Sequence, residues 1–583
     1  MNKKGIKKIS ELFKSYGLVV AITIIFLCTG IYYVRQSVRD VLFMDYWRMS
    51  TQLIPKVMEN ELTFSDIWLG EYGQRNPLMR LLLAMSIKFM NLNCIWESFA
   101  GIIMIVCSVG ILYFVWNRIC KDDESKIKKQ ILFIPIIAFL FNLNQWEILS
   151  SQFSFVFMLR LAAYMLMFWF LDNELHKEDR NWCQFVKLGI ATGIIICLMS
   201  QLYFCAMLLA ICFAFAFDFF LGYGTKKSKI REYGAFLIPT CCFVLLYFVG
   251  ANFSSGGGNM GIFLGSLFDG SFFKGILYML AGSIVPQSIL QQMKLSYILL
   301  LGGIFVIIIL YAVWLYFRKN LYKKSFFPLL VTAYGLLNIP IIIYGRLGEF
   351  DLFYMTSSRY VCETKFIWVG CILIFAHEML YAKQKIKTYL LPGFGIVVLF
   401  LSVIYANKVE LKIAPYRGGY KDSLIQVLQK PEIQMKDEEL ALLQAPVEVV
   451  KDGIRLLKSY QLNVYASEVE IGTDLGTAVY KNEIFEDGWV GINGSLTVRT
   501  TDFGKIHIET YDPYAQTHPE GVCKVYVNEE LSCTIPAREL NAFEIQAEQN
   551  VVVTIRFECD YFTEEPDPGE RDLCFVLLNL YTE

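Results

Sequence analysis

Apolar runs of about 17–25 residues, long enough to cross a bilayer as helices, recur along the first 406 positions and are separated by short clusters of Lys and Arg. Eleven spans are predicted, at roughly 17–34, 95–116, 130–144, 153–171, 187–200, 203–222, 234–250, 295–317, 326–345, 361–380 and 388–406. The third and fifth are short, and Met199-Ser200-Gln201 reads either as a tight hairpin or as no turn at all. Over 408–464 the apolar positions fall at three-to-four spacing, with Leu424, Val427 and Leu428, then Val450, Ile454, Leu456 and Leu457, which predicts amphipathic helix. After Val464 the period becomes two. Segments 495–500, 505–510, 523–527, 551–557 and 573–577 alternate as strands do, with turns at Asp512-Pro513 and Asn528-Glu529. About eight short strands in so short a stretch predict an all-β sandwich of jelly-roll type. The expected organisation is a polytopic α-helical membrane domain over 1–406 with a first outer loop at 35–94, a helical outer-surface linker over 407–464, and an extracytoplasmic β-sandwich over 465–583.

Composition sharpens this division. Of 583 residues 55% are hydrophobic and 18% charged, against roughly half and about a quarter in an ordinary globular chain. The net charge of -1 conceals an asymmetry: residues 465–583 hold 7 Lys and Arg against 23 Asp and Glu, while residues 1–464 hold 46 against 31. A neutral sum made of a basic, greasy front and an acidic tail excludes a nucleic-acid binder with a broad basic face. The basic start, Asn2-Lys3-Lys4-Gly5-Ile6-Lys7-Lys8, precedes a first span without a small-residue cleavage site, so the N-terminus is expected in the cytoplasm of a bacterial cell. Counting onward, Arg118, Lys121, Lys126, Lys128 and Lys129, then Lys226, Lys227, Lys229 and Arg231, then Arg318, Lys319, Lys323 and Lys324, then Lys383, Lys385 and Lys387 all fall in the same compartment. The positive-inside bias thereby places 35–94, 145–152, 251–294, 346–360 and the tail on the outer face. Most of the 16 Cys lie in apolar spans, and Cys94, Cys523, Cys533, Cys559 and Cys574 fall outside. Cys523 and Cys533 flank the Asn528-Glu529 turn and either pair across it or remain thiols.

Candidate chemistry comes from charges placed where charges are unfavourable, since an ionisable group in hydrocarbon needs a partner or a role. Asp45, in Phe43-Met44-Asp45-Tyr46-Trp47, directly follows the first span, and Asp66-Ile67-Trp68, Gln74-Arg75 and Arg80 continue the same loop. Gln145-Trp146-Glu147, Arg160, Arg346 and Ser358-Arg359-Tyr360 join them at the same expected face. A carboxylate can deprotonate an acceptor hydroxyl, and guanidinium forks grip phosphate in bidentate fashion. The plainer alternatives are an Arg160–Glu147 packing pair and loop arginines lying on lipid phosphates. In the tail, Trp489, Tyr511, Tyr514 and Tyr561 either stack on sugar rings or fill the core. The acidic stretch 564–572 either binds calcium through oxygen ligands or is a solvated loop. There is no Walker-type phosphate loop, dinucleotide fingerprint or Cys/His zinc spacing, and Gly256-Gly257-Gly258 reads as a hinge or lid.

An acid close behind the first span, many spans and a tail domain together resemble the glycosyltransferase C-type superfamily of polyprenyl-phosphate-sugar-dependent membrane enzymes. More narrowly, Asp45-x-Trp47, Asp66-Ile67-Trp68 with Gln74-Arg75 and Arg80, Gln145-Trp146-Glu147 and Ser358-Arg359-Tyr360 resemble a family of polytopic bacterial membrane proteins with a C-terminal β-sandwich. Asp487-Gly488-Trp489 and Glu570-Arg571-Asp572-Leu573 look like sandwich domains attached to surface-polysaccharide glycosyltransferases. The resemblance implies an inverting glycosyltransferase that moves a sugar from a polyprenyl-phosphate donor to a cell-surface glycan, a polysaccharide or teichoic-acid-like acceptor, on the outer face of the membrane. Asp45 takes the catalytic-base position, with Glu147 as a second acid. Arg75, Arg80, Arg160, Arg346, Arg359 and Tyr360 are the donor-phosphate candidates, and Trp47, Trp68, Gln145 and Trp489 the acceptor or glycan candidates. Position 46 is Tyr where the superfamily often has a second acid, and Tyr72 and Gln74 stand where His residues are common; no metal site is implied, though a divalent ion stays open. Two rivals remain: a transporter or flippase of a lipid-linked saccharide, and a non-catalytic assembly protein that binds envelope polymer. No internal repeat of the kind transporters show is evident.

Overall fold

The computed structural model describes residues 3–71, 74–120, 125–222, 225–250, 258–381, 386–428, 430, 435–466, 480–485, 488–500, 503–549, 551–564 and 571–582. Asn2, Tyr72, Lys121, Gly256, Gly257, Lys383, Lys385, Asp487 and the acidic run 565–570 lie outside the described residues.

Eleven helices among the described residues are long and apolar enough to cross a membrane, one for each predicted span. The chain divides into two compact units. The first comprises Met1–Arg39, Leu62–Leu83 and Cys94–Gly419 and holds the apolar helices. Its most enclosed member is the helix Val361–Tyr381, buried along almost its whole length, Glu363 and Lys365 included. Helix Phe327–Arg346 lies tightly against it because glycines leave no side chain in the way: a Cβ on Gly335 would sit 2.7 Å from Ile367 Cγ1, and one on Gly370 would sit 2.7 Å from the Pro328 carbonyl. This small-residue contact substitutes for the hydrophobic drive that lipid cannot supply. One pair of helices, Met260–Phe268 and Ser271–Gly282, is bent by 91°. Gly270 makes the corner in the left-handed region (φ 79°), and Asp269 caps the second helix through Ser271 N at 2.7 Å. Met260–Phe268 leaves Met260, Ile262, Leu264 and Phe268 exposed, the last at 92%, as suits a helix lying in a membrane interface.

At one end of the helices, charges close the bundle through ion pairs. Asp172, fully buried, receives Arg118 (2.8 Å), Ser325 Oγ (2.7 Å) and Phe326 N–H (2.6 Å). Arg180 grips Asp218 with both terminal nitrogens at 2.7 Å, and Tyr233 donates to the same carboxylate at 2.6 Å.

The second unit comprises Asp40–Glu61, Ala84–Asn93 and Tyr420–Glu583. Helix Tyr46–Met58 packs on helix Val447–Ser459 where Trp47 meets Gly453. Val450, Ile454 and Leu457 form the buried stripe that their spacing predicts. Asn463 fastens the chain here, donating to Asp40 Oδ1 (2.8 Å) and to the Leu92 carbonyl (3.0 Å).

Among the described residues the tail has eight strands in its main sheet: β1 Tyr480–Ile484, β2 Trp489–Arg499, β3 Lys505–Tyr511, β4 Val522–Val527, β5 Glu530–Pro536, β6 Leu540–Gln546, β7 Val552–Cys559 and β8 Phe575–Thr582. They are antiparallel, in the order β5-β4-β7-β2-β8-β3-β6, with β1 beside β2. β5 and β6 stand at opposite ends of that order, yet only residues 537–539 join them. So short a link spans roughly 14 Å at most, so the sheet curls until its ends meet. The facing layers expected of a sandwich are therefore two halves of one curled ladder around a core that includes Val490, Val498, Ile508, Val525, Ile555, Phe557 and Phe575. The expected turn at Asn528-Glu529 is a two-residue hairpin with both residues at positive φ. Cys523 faces Ile535 across that hairpin and Cys533 faces Val525, so the two cysteines are not direct partners.

Candidate functional site

Arg346 and Arg359 come from the two ends of one short connection. Helix Phe327–Arg346 finishes on Arg346, and a 3-10 turn, Ser358–Tyr360, carries Arg359 into the central helix. Asp351 starts the intervening turn by accepting the Tyr354 N–H at 2.9 Å. Arg359 lies over the Tyr354 ring (5.6 Å to the centroid) and Arg346 over Phe350 (5.7 Å), while those two rings stack at 3.9 Å. Aromatic faces hold both guanidinium planes without neutralising them. The two cations are near enough to repel, and the Tyr360 hydroxyl is buried beside Arg346 without a well-formed hydrogen bond.

Glu147 is the fastening of this corner. Its Oε2 accepts Ser357 Oγ (2.7 Å), the Arg359 N–H (2.9 Å) and Arg359 Nε (3.2 Å), its Oε1 accepts an Arg359 terminal nitrogen (3.4 Å), and its own N–H meets Ser358 Oγ (3.2 Å). A carboxylate with four donors is poorly placed to accept a substrate proton. Its geometry is that of an arginine-positioning group. Among the described residues Glu349 is the one carboxylate paired with Arg346 (3.5 Å), in a partly exposed pair, and the Arg346 side chain is 36% exposed. Such a pair is weak, so Arg346 is the guanidinium here most open to an outside anion.

Other arginines are committed elsewhere. Arg160 forms a fully buried ion pair with Glu363, which also takes the Tyr334 hydroxyl, and is sandwiched between the Phe157 and Tyr203 rings at 4.6 and 4.3 Å. It pairs with Glu363 and not with Glu147, because both members face the same interior layer; enclosed in this way it has no route to a donor headgroup. Arg75 is buried in the two-stranded hairpin at Gly70–Glu71 and Gln74–Arg75, donates to the carbonyls of Trp68 (2.6 Å) and Val249, and lies 5.1 Å from the Trp68 ring centroid. Among the described residues no carboxylate pairs with it, its Nε has no partner, and burial pushes its pKa down. Arg80 is buried and donates through Nε to the Asp66 carbonyl at 2.7 Å.

Asp45 belongs to the second unit, whereas Glu147, Arg75, Arg80, Arg160, Arg346, Arg359 and Tyr360 belong to the first. It stands just before helix Tyr46–Met58, makes no cap, and is 72% exposed with Arg48 at 3.8 Å. Trp47 is not interfacial: its indole is fully enclosed, with Nε1 donating to the Leu42 carbonyl at 3.0 Å, so it has no face for a sugar. Gln145 is likewise enclosed, linking Lys365 Nζ (2.7 Å) to the Leu140 carbonyl (3.1 Å). Trp68 is partly exposed and stacks on Phe64 at 5.8 Å. Trp489 is partly exposed and stacks on Tyr514 at 6.2 Å.

Sequence reasoning missed Glu363, Lys365 and Tyr354. Glu363 and Lys365 carried the same signal as Arg160, a charge within an apolar span. Tyr354 carried none. Among the described residues no group of three or more His, Cys, Asp or Glu is arranged to hold a metal ion.

No protein-family model matches the chain. No curated protein matches it either. Among solved structures, it is similar to ArnT from Cupriavidus metallidurans bound to undecaprenyl phosphate, over 93% of this chain and 98% of that one, at 11% identity and a TM-score of 0.40. A likeness that loose adds no weight, and the functional reading rests on this chain's own residues.

Proposed function

We propose that the protein is an integral-membrane glycosyltransferase that takes a sugar from a polyprenyl-phosphate donor and places it on a surface glycan at the outer face of a bacterial membrane. The observation that carries this reading is the pair Arg346 and Arg359, held on stacked aromatic rings at a helix end, with Arg359 ion-paired to Glu147 and Arg346 held only by the partly exposed Glu349. A guanidinium as weakly paired as Arg346, beside a second one fixed in place, suits a phosphate anion. Arg346 and Arg359 bind its oxygens, the Tyr360 hydroxyl donates to it, and Glu147 sets the angle of Arg359. Arg75 adds positive potential. A carboxylate removes the proton from an acceptor hydroxyl, the role that the sequence offers to Asp45. That oxygen attacks the anomeric carbon from the face opposite the phosphate, whose C–O bond breaks as negative charge collects on the leaving oxygens. Guanidinium groups stabilise that charge more as it grows. Trp68 and Trp489 offer faces on which acceptor sugars stack.

The test uses purified protein in lipid nanodiscs, with polyprenyl phosphate as the binding probe and a panel of polyprenyl-phosphate hexoses as donors. Arg346→Ala is expected to weaken polyprenyl-phosphate binding by about tenfold or more, the value of a charged hydrogen bond. Asp45→Asn should bind the lipid normally and lose transfer. Undiminished binding in an Arg346→Ala, Arg359→Ala double variant would remove the donor site. Full transfer by Asp45→Asn would remove the base, and lipid translocation without transfer by the wild type would establish the flippase reading instead.

A further inference from the structure

The tail sheet brings three thiols together away from the site just described. Cys523 on β4 and Cys559 on β7 are direct cross-strand partners. One step along the ladder, the Asp560 N–H donates to the Val522 carbonyl at 3.1 Å, which makes 522/560 the hydrogen-bonded pair and 523/559 a non-hydrogen-bonded one. In such a pair the Cα atoms lie about 4.5 Å apart with side chains on one face, within the roughly 4.4–6.8 Å that disulfides span. Cys574, the residue before β8, is the other thiol close enough to act on Cys559, and its Sγ donates to the Tyr561 carbonyl, two residues along from Cys559, at 3.0 Å. All three cysteines are buried. Cys533 is diagonal to Cys523 and has Val525 as its direct partner.

We propose that Cys559 is a disulfide-forming site with two alternative partners, Cys523 across the β4–β7 ladder and Cys574 beside β8. Forming either link removes one hydrogen from each of two thiols. Both electrons and both protons pass to an external disulfide, which leaves as two thiols. The third cysteine stays reduced beside the new bond, and its thiolate can displace one sulfur and move the link without further oxidation. Hydrogen bonds with Cys523 and Cys574, then burial, hold the Cys559 thiol protonated far above its ordinary range. Linkage is therefore slow in the folded sheet and favoured while the strands assemble.

The 523–559 pairing rests on register and the 559–574 one on the place of Cys574 beside Tyr561; occurrence in the cell rests on the outer placement of the tail in the proposed function. Full-length protein in detergent is incubated with oxidised glutathione in urea up to the unfolding midpoint, so that access does not limit reaction. It is then quenched in acid, alkylated after unfolding and digested without reductant. The expected products are a peptide pair joining 523 to 559 and a lesser one joining 559 to 574. Cys559→Ser, or Cys559→Ala if serine disturbs the core, should abolish both and leave Cys523 and Cys574 alkylated. Cys523→Ser should send the whole link to 559–574. Three free thiols in the wild type, or Cys523 joined to Cys533, would overturn the proposal. The same digest from acid-trapped cells separates the two claims: a link formed in vitro but absent in cells supports the site and counts against outer placement.

Discussion

Buried charges here divide into those that hold the fold and those left to act. The Arg160–Glu363 pair is fully enclosed, with Tyr334, Phe157 and Tyr203 around it. Breaking such a pair from one side strands the other charge and costs about 3–5 kcal/mol, whereas replacing both by apolar groups is often neutral. Arg160→Met alone should therefore lower the melting temperature in detergent sharply, and Arg160→Met with Glu363→Leu should recover most of the loss. A double variant as unstable as the single one would show that the pair does more than fill the interior. In the tail, Asp512 is buried with Oδ1 taken by the Tyr514 N–H at 2.8 Å and Oδ2 unpartnered among the described residues. Burial pushes its carboxyl above the ordinary carboxylate range. The native state then holds the proton more tightly than the unfolded state, so the sheet loses stability as pH rises from about 4. Asp512→Asn keeps the Oδ1 acceptor and should raise stability at neutral pH while flattening that dependence, as thermal melts between pH 4 and 7 will show. Arg346 and Arg359 were legible as a cluster because a few polar residues interrupt long apolar runs. The engagement of Glu147 was not, since its donors come from Ser357 and Arg359 more than two hundred positions away.

At the scale of elements, the spacing of two arginines depends on two helices that touch through glycine. Gly335→Leu would drive a side chain into the backbone at Ile367 and part helices Phe327–Arg346 and Val361–Tyr381. Polyprenyl-phosphate binding should fall along with the melting temperature, although residue 335 is eleven positions from Arg346. Gly345→Leu, whose Cβ meets nothing within 4 Å, is the control and should leave the melting temperature unchanged. Each span was readable because hydropathy over some twenty residues is a local property. The bent pair Met260–Phe268 and Ser271–Gly282 fell within a predicted loop, its first helix being only 9 residues long, too short to register as a span. Strands were readable from alternation, but their order was not: β8 pairs with β2 and β3 at separations that no local pattern encodes.

For the whole molecule, charge splits along the chain into a basic front and an acidic tail, from which the positive-inside bias leads one to expect the tail on the outer face. A specific protease site inserted at the Asn528-Glu529 turn, which is exposed, should be cut by protease added to intact cells. Cleavage only after lysis would invert the topology and with it the compartment of the proposed chemistry. The strand order has a further bearing on biogenesis. β8, made last, lies between β2 and β3, so the earlier strands wait as two separate ribbons with unsatisfied edges until residues 575–582 arrive. Closure thus waits for residues 575–582, and until they are in place the exposed ribbon edges mark the stage at which a chaperone is most needed.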